Sequence, residues 1–269
     1  MKFLFILLLL SVITACASHE NLTNVDTANI SQLQSVRVAP VSSSTSQTKI
    51  GKLRARMLKE TAMTIGAQGG LAWASDQMNV QMNRDRKYLD SIFNFGAMML
   101  SHGVLPPVLE EGDYALNLND PNTIRVADRT YKIIAQARFA TTPPNWREYL
   151  FMNYPKPVLP DRSLLPQSPE EQKVWQHYIQ VGWQKGVEQS YTIFQQNIAR
   201  IKRDYSGMII YRKLLQEKMI SPPFVARTEL GVTGDGSDMR INDQVLRIVE
   251  MPRLQTNSKN WRAIVVPQS

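Results

Sequence analysis

The chain has 269 residues, with 31 lysines and arginines against 23 aspartates and glutamates, a formal charge of +8. That length suffices for one large domain or two modest ones, and the basic excess brings no zinc-finger spacing, no RNP-like string and no like-charge run long enough for a nucleic-acid arm, so direct nucleic-acid binding is not expected. A single cysteine, Cys16, excludes an intrachain disulfide framework.

Residues 1–15 read as a lipoprotein signal peptide. Lys2 supplies the positive start, Phe3 to Val12 the apolar run, and Ala15 the small residue before the cut. An apolar run of about a dozen residues falls short of the roughly 20 that cross a bilayer. Ile13-Thr14-Ala15-Cys16 completes a bacterial lipobox, which makes Cys16 the lipidation site. Its thiol takes a diacylglycerol and the freed amine usually takes a further acyl chain such as palmitate. At about 0.8 kcal/mol per buried CH₂, two or three chains anchor durably where one does not. Ala17 rather than Asp follows the cysteine, which by analogy with lipoproteins in general points to the outer membrane and its periplasmic face.

Residues 16–49 read as a flexible tether after the acylated Cys16. From Ala17 to Lys49, 17 of 33 residues are Ser, Thr, Asn or Gln, and few of them can bury apolar area to offset the entropy of ordering. The apolar stretch Ile30 to Val41 is the part of the tether expected to order against a partner.

Residues 50–269 read as a folded periplasmic domain. Leu53, Met57, Leu58 and Ala62 share one helical face, and this helix is expected to reach Ala72 and Trp73. Gly66, Gly69 and Gly70 within it mean either a break or close packing of another backbone, of which close packing is favoured. A second helix is expected over Arg84 to Ser101, ended by His102-Gly103 and Pro106-Pro107. The period then becomes two over Tyr114 to Leu118, Thr123 to Ala127 and Thr130 to Thr141, with turns at Asp120-Pro121-Asn122 and at Ala127-Asp128-Arg129, a small antiparallel sheet. Five prolines at 155, 157, 160, 166 and 169 make an extended linker.

Ser168-Pro169-Glu170-Glu171 predicts a helix start with a capping box, and the helix is expected to run to Met219 or Ile220. Within it Val187, Tyr191, Phe194, Ile198, Ile201, Tyr205 and Met208 form a coiled-coil-type seam. The seam packs either on the chain's own N-terminal helices, the favoured reading, or on another subunit. Arg200, Lys202, Arg203, Arg212 and Lys213 read as a solvated face of the same helix. Phe224 to Leu230 and Gln244 to Val249 read as strands joined through a glycine-containing loop, with a third strand over Arg262 to Val266. The fold class is therefore α+β, with long helices packed together and small antiparallel β-units in the middle and at the C-terminus.

No catalytic, cofactor or metal residue is assigned. Gly231 to Gly236 lacks the Gly-Lys-Ser/Thr ending of a phosphate loop, Asp235 to Asp238 lacks the spacing and closing Glu of a calcium loop, and His19, His102 and His177 show no metal-ligand spacing. With the cysteine acylated and no Gly-x-Ser-x-Gly elbow, the chain is not expected to be an enzyme.

Several blocks together resemble the DotC family of lipoproteins, from Dot/Icm-type (type IVB) secretion systems and related conjugation systems. They are Met63 to Trp73, Gly103 to Leu109, Asp120 to Tyr131, Thr141 to Arg147, Arg203 to Met208, Thr228 to Gly234 and Met239 to Asp243. The resemblance implies a structural component of an outer-membrane core complex, associated with a DotD-type lipoprotein and a DotH-type protein in a multi-subunit ring that exports effector proteins or conjugal DNA. It carries over no catalytic or cofactor residue. The alternative is a lipoprotein enzyme or ligand-binding protein of the cell envelope.

Overall fold

A computed structural model describes residues 25–38, 50–120 and 122–262. The lipobox with Cys16, the serine-rich run after Val38 and all but the first residue of the expected strand Arg262 to Val266 lie outside these residues. The protein is α+β: helices α1 (Ile30–Ser35), α2 (Lys52–Arg84), α3 (Arg86–Ile92), α4 (Trp146–Leu150) and α5 (Pro169–Gln216), with strands β1 (Val104–Leu105), β2 (Val108–Asp120), β3 (Thr123–Ala135), β4 (Arg138–Phe139), β5 (Phe224–Gly234) and β6 (Met239–Glu250). The strands pair antiparallel as β1 with β4, β2 with β3 and β5 with β6. Two compact units divide the chain, Met1–Gly70 with Lys156–Lys185 and Leu71–Pro155 with Gly186–Ser269, so that α2 and α5 each supply residues to both.

The first unit is organised by a backbone-to-backbone contact. A Cβ on Gly66 would lie 2.5 Å from the Ile179 carbonyl oxygen, one on Gly70 would strike the Trp183 carbonyl, and one on Gly182 would strike the Met63 carbonyl. Residues 54, 66 and 70 of α2 meet residues 171, 179 and 183 of α5, so the two helices run parallel here. The glycines do not break α2; they let another backbone approach, as their grouping suggested.

Arg54 ties the start of that helix pair. Its guanidinium donates to both carboxylate oxygens of Glu171 at 3.0 and 3.1 Å, to the Leu165 carbonyl at 2.8 Å and to the Ser163 carbonyl. The capping box at the start of α5 forms in modified shape. Ser168 Oγ accepts from the Glu171 amide at 3.2 Å, while the Glu171 carboxylate accepts from the Gln167 amide at 2.8 Å. Burial raises the Glu171 pKa, but Arg54 and these amides outweigh it and hold the carboxyl below its usual range. The proline-rich stretch is no free linker: Leu165 and Pro166 are buried in this unit.

Part of the stretch read as a tether is folded onto this unit. Leu33 and Val36 are buried. The Trp175 indole donates to the Leu33 carbonyl at 2.9 Å, Gln172 Nε2 donates to the Gln34 carbonyl at 2.6 Å, and the Val38 amide donates to the Pro166 carbonyl at 3.0 Å. The apolar residues expected to order against a partner thus order, from Ile30 to Val38, against α5 and its approach. Asn29 caps α1 by accepting from the Ser31 and Gln32 amides.

In the second unit the expected helix over Arg84 to Ser101 is cut short. It ends at Ile92, and Asn94 turns the chain by accepting from the Ala97 amide at 3.1 Å, a side chain competing with the helical backbone. The turn sends Phe95 into a core with Trp146, Leu150, Ile201 and Met208. The expected turn at Ala127-Asp128-Arg129 is also corrected. Ala127 pairs with Ala115 and Arg129 with Asp113, so β3 runs through without interruption, and the ribbon turns only after Asp120. Those three residues include no glycine or proline to force a turn, and a solvated ribbon tolerates polar residues on either face. The expected strand Thr130 to Thr141 is split: β3 stops at Ala135, Ala137 is buried, and Arg138 and Phe139 pair with β1.

Helix α5 ends at Gln216, a few residues before the expected stop. Lys218 has φ +57, the Met219 amide donates to the Leu214 carbonyl at 2.8 Å and the Lys218 amide to the Leu215 carbonyl at 3.2 Å. This is a Schellman closure with lysine in the left-handed position.

Gly182→Ala should lower stability by about 1–3 kcal/mol despite alanine's better helix propensity, because the new methyl meets a backbone carbonyl that cannot rotate away. Gly51→Ala, whose Cβ meets nothing within 4 Å, should change stability by less than about 0.5 kcal/mol. Thermal unfolding of both variants checks the contrast.

Candidate functional site

The second unit carries an apolar groove of about 490 Å³. Its floor is Met82 from α2, Leu150 from α4 and Ile201 from α5, all buried. Ile92 and Phe93 from the end of α3, with Phe194 and Ile198 from α5, form its walls. Gln81, Asp85, Tyr88 and Lys202 are its lining residues with polar groups, and among the described residues no histidine, cysteine or serine lines it. Apolar walls fit a hydrophobic occupant, while the convergent polar groups that orient a small-molecule substrate are few.

Behind the groove stands an aromatic cluster. Phe95 stacks on Tyr149 with centroids 5.7 Å apart and meets Tyr205 edge-on at 5.1 Å; Phe93 meets Tyr205 edge-on at 5.6 Å. Tyr149 donates to Asp204 at 3.1 Å. Burial, then the neighbouring Asp204 charge, pushes the Tyr149 hydroxyl up to about 12, so it stays protonated as a donor. Trp146 donates from its indole to Asp90 at 2.6 Å, Arg147 adds a contact to Asp90 at 3.1 Å, and its guanidinium lies 4.2 Å from the Trp146 ring centroid. The Trp146 bond, ahead of Arg147, holds the Asp90 carboxyl below its usual range. These groups are hydrogen-bonded to one another, an arrangement that positions helices.

The seam on α5 divides in two. Ile201 and Met208 are buried in the core, with Phe194, Ile198 and Tyr205 packed against it, so this half lies on the chain's own helices. Tyr191 is 57% exposed. Gly207, in the same half, lets Val108 and Leu109 approach: a Cβ there would lie 2.6 Å from the Leu109 carbonyl oxygen. The basic face is largely engaged by the chain itself. Arg200 lies over the Tyr149 ring, Arg203 pairs with Asp204 at 2.8 Å, and Arg212 donates to the Ala97 carbonyl.

Cys16 and His19 lie outside the described residues. His102 sits at φ +60 beside Gly103, and His177 is exposed on α5 against Tyr178. Of the expected Gly231 to Gly236 loop, Gly231 to Gly234 belong to β5 and pair with β6, and the β5–β6 turn is residues 235–238, where the Asp235 carboxylate accepts from the Ser237 and Asp238 amides at 3.0 and 3.2 Å. Among the described residues no group of three or more His, Cys, Asp or Glu could hold a metal ion, and no helix is long and apolar enough to cross a membrane.

Both long ribbons are exposed to solvent over much of their length. Tyr114, Leu116, Ile124 and Val126 are 59–79% exposed on β2 and β3, and Val232, Met239 and Ile241 are 65–68% exposed on β5 and β6. Period-two alternation announced these strands, and neither ribbon has a covered face over these residues.

Residues 52–263 match the family described as type IV secretory system, conjugal DNA-protein transfer, of the TraI type. The chain belongs to this family. The match covers every block on which the resemblance to conjugation-system proteins was drawn, and it makes the protein a component of conjugal type IV secretion. No curated protein matches the chain.

Ile201→Ala should cost about 2–5 kcal/mol, since its side chain is fully buried in the groove floor. Tyr191→Ala should cost less than about 0.5 kcal/mol. Chemical denaturation of the two variants checks which half of the seam holds the fold.

Proposed function

We propose that this component of conjugal type IV secretion is a DotC-type lipoprotein of the outer-membrane core complex: anchored by lipid on Cys16 at the periplasmic face, not an enzyme, and acting by holding other proteins in place. Its partners on this reading are a DotD-type lipoprotein and a DotH-type protein. Together they assemble and localise the channel that exports effector proteins or conjugal DNA.

The observation that carries the reading is the conjunction of the family match over residues 52–263 with the lipobox Ile13-Thr14-Ala15-Cys16. An acyl anchor would hold a secretion component at a membrane surface through its lipid chains. Two features of the fold support a binding role over catalysis. The groove is apolar with few polar lining groups, and the ribbons present large apolar side chains to solvent, as interaction surfaces do. The groove would equally serve a ligand-binding lipoprotein of the envelope, and the experiment separates that reading.

Cys16→Ser should abolish incorporation of a labelled fatty acid and move the protein from the outer-membrane fraction to the soluble periplasm, and the secretion proteins that co-purify with the wild type should no longer do so from membranes. Equal label in both proteins would contradict the lipobox assignment. A labelled outer-membrane protein that brings no secretion component with it would contradict the core-complex role.

A further inference from the structure

We propose that the β2–β3 ribbon joins copies of this chain head to tail, β3 of one copy adding in antiparallel pairing to β2 of the next. The inference deepens the assembly reading above by naming a second copy as a partner, and it rests on that reading for its cellular setting only.

Among the described residues the ribbon is a pair of strands with no third neighbour, so β2 and β3 each leave one row of backbone N–H and C=O groups without a strand partner there. A lone two-stranded ribbon is marginal in water. Its outer half is also apolar on one face. Leu116 pairs with Val126, and Tyr114, Leu116, Ile124 and Val126 are 79, 72, 59 and 63% exposed.

Charge says what pairs with its open edges. β2 carries Glu110, Glu111 and Asp113, ends on Asp120 and has no basic residue, whereas β3 carries Arg125, Arg129 and Lys132 against the single Asp128. Inside one ribbon this complement already operates: Arg129 Nε lies 3.8 Å from Glu111 and 3.9 Å from Asp113, and Lys132 stands opposite Glu110. The two open edges therefore have opposite signs. Pairing β2 with β2, or β3 with β3, sets like charges side by side, which costs stability. Pairing β3 with the next β2 sets acid against base.

Direction agrees with charge. β2 and β3 run antiparallel, so two ribbons side by side with their tips at the same end bring β3 of one against β2 of the other in antiparallel sense. Each addition leaves the same two edges open, so the contact is heterologous and propagates until it closes into a ring. The β5–β6 ribbon offers no such selection. Arg227 and Glu229 share β5, and Arg240, Asp243, Arg247 and Glu250 share β6, so neither edge has one sign.

The test is a charge swap in the full chain, purified in detergent: Glu110→Lys, Glu111→Lys and Asp113→Lys together with Arg125→Glu, Arg129→Glu and Lys132→Glu. The swap keeps acid opposite base within a ribbon and between identical copies, but not between swapped and wild-type copies. Sedimentation at rising concentration should carry each protein alone beyond a dimer. Tagged wild type should retain untagged wild type at least about tenfold better than it retains the swapped chain. Either protein remaining monomeric, wild type stopping at a dimer, or equal retention of both would overturn the proposal. Should the swapped chain not fold, Arg125→Glu alone, which stands opposite Asn117 in its own ribbon, should weaken self-association about tenfold, and unchanged association would overturn it. Wild type that stays monomeric yet co-purifies secretion proteins from membranes would refute this contact and leave the core-complex reading standing.

Discussion

Two helix backbones can approach within van der Waals distance only where neither interposes a Cβ, and in this protein that condition is met by Gly66 and Gly70 on α2 and by Gly182 on α5. The contact admits no sliding. Sliding α5 along α2 would set residues that carry a Cβ against the places Gly66, Gly70 and Gly182 now leave open to the facing backbone. It also decides that α2 and α5 run parallel in the first unit, although most of the chain between them has to be accommodated elsewhere. In the second unit α2 and α5 meet through small side chains instead, where Ser75 Oγ lies 3.1 Å from Ser190 Oγ, both buried.

The remaining contacts of the first unit depend on that register. Arg54 reaches Glu171 because the first turns of α2 and α5 lie side by side, and the same guanidinium draws the proline-rich approach down onto them. The α1 segment then lies over the helix pair, with the Thr27 carbonyl 2.6 Å from where a Gly69 Cβ would be. The electrostatic part of this arrangement has a defined pH sense. The Glu171 pKa is held below its unfolded value, so its stabilisation is present above the ordinary carboxylate range and is lost as pH falls through the folded value.

What was legible in the sequence follows from how strongly each element depends on local pattern. The long helices showed themselves by period, and Ser168, Pro169 and Glu171 marked the start of α5. The glycines announced close packing because three within five residues of a helix are too costly without a gain in contact. Less legible were the elements whose form is decided by burial. Residues 95–98 leave the helix because Phe95 has a core to enter, which no period reveals. Residues 30–35 are short and polar, so their docking depends on Trp175, far away in sequence. The break expected at residues 127–129 rested on polar composition, which marks a turn in a half-buried sheet but carries no such meaning in a ribbon solvated on both faces. The groove was half visible: Phe194, Ile198 and Ile201 belonged to the seam, but Met82 and Leu150 gave no sign of facing them.

Function follows the same division. Membership of the conjugal type IV secretion family rests on most of the chain, whereas the proposed anchoring rests on four residues and the proposed assembly on exposed surface. The central structural claim is that the α2–α5 backbone contact is the most stable part of the first unit, and native-state amide hydrogen exchange tests it most directly. The account predicts that within that unit the amides around residues 66–70 and 179–183 exchange slowest and those of residues 30–35 much faster. Exchange around the glycines as fast as in α1 would contradict it.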